Sequence, residues 1–203
     1  AVVDPELTYS LPLFVTACTG LDALCHAMEC YWSRNHQPMC DLLAKEAARL
    51  IFRSLETACT RPNDTGARAD MAYAALIAGI AFQLPKNAMV HACSYPLSTR
   101  FHLCHGAACA FTLEFAVRLN APHMGRRLEA FAAYCGFADI DAMVRRIREL
   151  KRIGGLPCTL AEANIPKDAV GALIDGSFHP LIKNNPKEVT REDLEAMYAS
   201  LAE

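Results

Sequence analysis

The 203 residues carry 20 basic and 22 acidic side chains, a formal charge of −2, so nothing draws the chain at long range to nucleic acid or to an anionic membrane. Fifty-three per cent of the residues are apolar, enough for a buried core in one large or two small domains. The longest uncharged stretches, such as Met71 to Pro85, fall short of the roughly 20 residues that a membrane-spanning helix needs. Ten cysteines occur without a CxxC pair. Cys18, Cys25, Cys30, Cys93, Cys104 and Cys109 stand in apolar helical surroundings where a reduced thiol packs as a small hydrophobe, which points to the cytoplasm rather than to a disulfide-stapled secreted chain.

Residues 1–18, with Pro5 and Pro12, read as a lead-in segment without regular helix. The segment has neither an initiating Met nor a basic-then-apolar signal sequence, and suggests a chain that begins mid-protein. Thr19 is placed to cap the next helix, whose apolar stripe is Leu21, Leu24, Met28 and Trp32. Apolar residues at helical spacing predict a second helix from Met39 to about Thr60, closed by the turn cluster Arg61–Gly66. The Ala-, Ile- and Leu-rich run from Ala67 to Gln83 suits a helix buried on most sides, the core helix of the domain. Lys86 to Pro96 predicts a short helix stopped by the proline, followed by an irregular stretch and by a new helix opening at His105. Further helices are expected over Met124–Cys135, Ile140–Ile153, Lys167–Ser177 and Arg191–Ala202, the last announced by a capping box with Asp193 in place of the usual Glu or Gln. The basic run Arg145–Arg152 reads as the solvated last turns of its helix. Period-two runs of β-branched and aromatic residues are absent, so the fold class is all-α.

Asp22 and His26 lie four residues apart, on one helical face with Cβ atoms about 6 Å apart, and can close on one ion. His91 and His105, on consecutive helices joined by a bend, supply two further donors. One carboxylate and three imidazoles suit Fe2+ or Zn2+ and leave one or two positions open, which marks a catalytic rather than a structural site. His102 is the rival ligand, while His36, His123 and His179 stand in polar or proline-adjacent contexts and read as exposed. Glu29, one turn beyond His26, is a candidate to orient that imidazole.

The stretches TGLDALCHAMECYWS, VHACSYPL and LCHGAACAFTL resemble the C-terminal domain of the iron-dependent (group III) alcohol dehydrogenases, and AVVDPELTYSLP and NNPKEVTREDL extend the resemblance over nearly the whole chain. The resemblance implies a helical-bundle metal domain of the dehydroquinate synthase-like fold, spanning residues 19–203 here, with Asp22, His26, His91 and His105 as ligands. It also implies a preceding α/β domain that binds NAD or NADP through a glycine-rich loop. This chain has only 10 glycines and no GxGxxG, and so reads as the metal-binding half of a larger enzyme, inactive alone.

Two departures from the common pattern stand out. Tyr95 replaces a histidine expected one turn after His91, and a phenol gives up its proton less readily than imidazolium but donates a hydrogen bond. Lys86 stands where the family tends to have a small residue. With the Ser-Tyr-Pro sequence, it resembles the phosphonoacetaldehyde reductase branch, whose substrates carry an anion; Lys86 and Arg100 are the candidate cations for it. The expected activity is hydride transfer from NAD(P)H to a small aldehyde, polarised by the ion, with Tyr95 as candidate proton donor. A metal-dependent hydrolase with Glu29 as general base, and a non-catalytic metal-binding helical module, remain as alternatives. A domain of this kind also exposes an apolar face through which a homodimer can form.

Overall fold

The computed structural model describes residues 2–202, in which nine α-helices and four short 3-10 turns follow one another and no strand occurs. After a 3-10 turn at Pro5–Thr8, helix α1 runs from Leu13 to Trp32. Helix therefore begins six residues before Thr19, which corrects the expected lead-in over 1–18. Pro12, extended at the N-cap, keeps the preceding residue out of the helix but is compatible with one starting behind it. Thr19 caps nothing; its hydroxyl donates to the Val15 carbonyl at 2.9 Å, one turn back.

Helices α2 (Pro38–Thr60) and α3 (Thr65–Ala81) form a hairpin, with Asp64 capping α3 by accepting from the Ala67 amide at 2.9 Å. The core element is α1, not α3 as its composition suggested. Leu21, Leu24, Cys25 and Met28 have no exposed surface, and α1 packs against α2, α3 and three of the later helices. Tyr73, Leu76 and Ile80 of α3, and Leu84 beyond it, face outward. Small apolar residues allow close packing on any side, and here only one side of α3 is used.

Helix α4 spans Met89–Phe101 and runs through Pro96 instead of stopping there. The ring removes one backbone hydrogen bond, but it packs on α8 (Val170–Ser177), where a Cβ added to Gly176 would lie 2.8 Å from that of Pro96. The helix ends at His102 in the left-handed region (φ 56°), leaving a connection of three residues before α5, His105–Asn120. A Cβ at Gly106 would fall 2.0 Å from the Cys18 carbonyl oxygen, so only glycine lets the backbones of α1 and α5 touch here.

Helices α6 (Arg127–Tyr134), α7 (Ile140–Ile153) and α9 (Arg191–Ser200) complete the bundle, and Thr190 and Asp193 form the expected reciprocal cap of α9. The basic run of α7 is not a solvated tail. Lys151 is buried and meets Glu114 of α5 at 3.0 Å, Arg148 meets the same carboxylate at 2.8 Å, and Arg146 reaches Glu56 of α2 at 2.6 Å. No described helix is long and apolar enough to cross a membrane.

Candidate metal centre

The α1–α5 contact and the register of α4 bring the four predicted donors into one cluster. Asp22 Oδ2 lies 3.6 Å from His26 Nε2, and Asp22 Oδ1 lies 3.6 Å from both His91 Nε2 on α4 and His105 Nε2 on α5. Ring centroids of His26 and His91 are 4.4 Å apart, those of His91 and His105 5.4 Å. Tetrahedral donors about 2.1 Å from one ion stand about 3.4 Å from each other, close to these separations. The decisive atoms are Asp22 Oδ1 and His91 Nε2, which are buried, face each other and have no hydrogen-bond partner. Unpaired buried polar atoms are costly, and a divalent cation satisfies both. The residues present fit such an ion.

The surroundings hold the imidazoles in the orientation this requires. Glu29, fully buried, accepts from His91 Nδ1 at 2.6 Å and from the Val90 amide at 2.6 Å. It thus orients His91, not His26 as expected, because residue 29 lies most of a turn past His26 and points toward the start of α4. His26 is held by Asn87, whose Oδ1 lies 3.1 Å from its Nδ1, and by stacking on Phe82 at 4.5 Å between centroids. Asn87 is fixed in turn by Asn184, which donates to its carbonyl at 2.9 Å. Nothing in the sequence marked Asn87, since its partners lie 61 and 97 residues away.

The charges of the cluster act on one another. Burial works against the charged form of Asp22, but the neighbouring imidazoles of His26 and His91 hold its carboxyl well below the usual carboxylate range. Burial likewise opposes an imidazolium at His91, yet the negative charge of Glu29, bonded to its Nδ1, pushes its pKa up to about 12. His105, desolvated and beside two other imidazoles, is shifted down despite Asp22.

The cluster is closed on one side and open on the other. The side chain of His91 is 2% exposed and that of His105 48%. Tyr95, one turn beyond His91, is exposed and packs its ring edge on His179 at 4.8 Å. Lys86 is exposed beside Asn87 and adopts a left-handed φ of 61° that suits a glycine. Arg100 is not gathered with the donors: nine residues past His91, it lies about 13 Å farther along α4 and on roughly the opposite face. His102 is exposed at the helix end and is not a donor here, and His123 is exposed as expected. His36 and His179 are half-buried instead; His36 Nδ1 lies 3.0 Å from Asp41, and His179 Nδ1 accepts from the Leu181 amide at 3.3 Å.

Comparison with known proteins gives one consistent answer. The family described as Fe-containing alcohol dehydrogenase, C-terminal, matches residues 16–202. Long-chain-alcohol dehydrogenase 1 of Geobacillus thermodenitrificans is 38% identical over 98% of this chain and 53% of its own length, and a 1-propanol dehydrogenase of Salmonella typhimurium is 33% identical over 99% and 58%. Among solved structures, sulfoacetaldehyde reductase from Bifidobacterium kashiwanohense, in complex with NAD+, superimposes with a TM-score of 0.94 at 43% identity, covering 98% of this chain and 53% of that one. A 1,3-propanediol oxidoreductase gives 0.90 at 29% identity. The chain thus spans about half the length of the relatives it matches.

Proposed function

The chain belongs to the Fe-containing alcohol dehydrogenase family, and from that premise we propose that it is the metal-holding part of an NAD(P)-linked aldehyde reductase. Its ligands are Asp22, His26, His91 and His105, and its ion is Fe2+ or Zn2+. The observation that carries this reading is the pair of buried, unpartnered atoms Asp22 Oδ1 and His91 Nε2, 3.6 Å apart. An ion held there would supply a Lewis acid able to polarise a substrate carbonyl.

The residues of the chain divide the remaining work. Glu29 and Asn87 occupy the Nδ1 atoms of His91 and His26 and so turn the Nε2 atoms inward. Substrate enters on the exposed His105 side, and Tyr95, exposed one turn beyond His91, donates a hydrogen bond or a proton to its oxygen. Lys86, exposed next to Asn87, binds an anionic group on the substrate; the sulfoacetaldehyde in the name of one relative supports an aldehyde bearing a phosphonate or sulfonate. Arg100 carries no role in this reading. Hydride comes from NAD(P)H bound by the part of the relatives that this chain does not span. Ten free cysteines support a cytoplasmic location, and the outward row Tyr73, Leu76, Ile80 and Leu84 is the face open to a second copy or to the nucleotide-binding part.

A hydrolase would need a free carboxylate as general base, and the Glu29 oxygens are both engaged and fully buried. Elemental analysis of the protein and of His91→Ala tests the metal reading. About one iron or zinc per chain, lost in the variant, is expected; equal metal in both would sink it. NAD(P)H oxidation with phosphonate- or sulfonate-bearing aldehydes, set against neutral ones, tests the substrate.

A further inference from the structure

We propose that Cys109 is a sulfur donor to the ion held by Asp22, His91 and His105, an inference that rests on the metal reading above. One turn of α5 separates Cys109 from His105, the same four-residue step that pairs Asp22 with His26 on α1. The close approach at Gly106 presses that face of α5 onto α1. Cys109 Sγ consequently lies 3.8 Å from His105 Nε2, and one donor atom each of Asp22, His91, His105 and Cys109 fall within 4.8 Å of one another. A sulfur about 2.3 Å and a nitrogen about 2.05 Å from one tetrahedral zinc stand about 3.6 Å apart, close to the spacing found.

A second observation points into the same space. His91, 1% exposed, aims an unpartnered Nε2 at it. His26 lies outside this four-atom group and faces the other oxygen of Asp22 at 3.6 Å. Coordination exchanges the S–H bond for a sulfur–metal bond and releases the proton to water. The thiolate and Asp22 together balance a divalent charge, and the soft donor favours zinc and cobalt over iron(II).

Cobalt(II) is the probe, loaded into the protein in place of other metal. Expected are visible d–d bands together with a near-ultraviolet thiolate-to-cobalt charge-transfer band, the latter lost in Cys109→Ser and kept in Cys104→Ser. The zinc-over-iron preference in direct competition should fall by about tenfold in Cys109→Ser. Cobalt bound one per chain with d–d bands but no charge-transfer band in the wild type overturns the sulfur donor and leaves the metal centre standing. No bound cobalt overturns both. Should Cys109→Ser fail to fold, the wild-type and Cys104→Ser spectra decide the question alone.

Discussion

The two sides of the donor cluster are built in opposite ways. On the α1–α4 side, Glu29 and His91 are sealed from water and joined by a 2.6 Å bond, and Glu29 uses its other oxygen to hold the first turn of α4. On the other side, His105 of α5 is half exposed, and Tyr95 of α4 and Lys86 ahead of that helix also meet solvent. In the proposed reading the first side sets where the ion sits, and the second decides what can approach it. Stability should therefore depend more on the sealed side, and turnover and substrate choice on the open one, with ligands to the proposed ion on both.

Replacing Glu29 is the severest test of that division. Glu29→Ala leaves the Val90 amide and a buried imidazole without a partner, and should cost about 3–5 kcal/mol in chemical denaturation. Glu29→Gln keeps the shape without the charge and should lower metal affinity by about 10- to 100-fold in titration calorimetry. A variant that binds metal normally would show that the sealed side is only packing. Asn87→Ala, which frees His26, should cost about tenfold in the same titration with little change in stability.

Smaller effects are expected across the opening. Lys86→Gly should raise stability by about 1 kcal/mol, because glycine takes the left-handed backbone without penalty, while weakening discrimination in favour of anionic aldehydes. A loss of stability would mean that the lysine side chain is held by contacts of its own. Tyr95→Phe should leave melting temperature and metal content unchanged and slow aldehyde reduction in the complete enzyme; unaltered reduction would remove the tyrosine from the reaction.

How much of this was legible depends on how far each contact reaches along the chain. Asp22 and His26 lie one turn apart, and helix periodicity brings them together without knowledge of the fold. The same step links His105 to Cys109, yet the thiol read as filler, since cysteine is equally at home in an apolar core. Asn87 and the true partner of Glu29 were hidden because those contacts join residues about sixty apart. The start of α1 and the passage of α4 through Pro96 escaped for another reason. Proline rules state a local cost, and packing against Gly176 can outweigh it. Composition alone placed α3 in the core; which side of a helix meets its neighbours is a property of the assembled bundle.

The backbone contact at Gly106 has a further bearing on how the protein is loaded. A metal ordinarily draws its ligands inward and so does part of the work of folding, as in zinc fingers. The contact of α1 with α5 at Gly106 is made by backbone packing that does not involve an ion, so it can hold the two helices at their spacing by itself. Metal-free protein should then keep its full helical circular dichroism and take up an ion without a slow refolding phase, behaving as a rigid vessel rather than as a chain that condenses around its cargo.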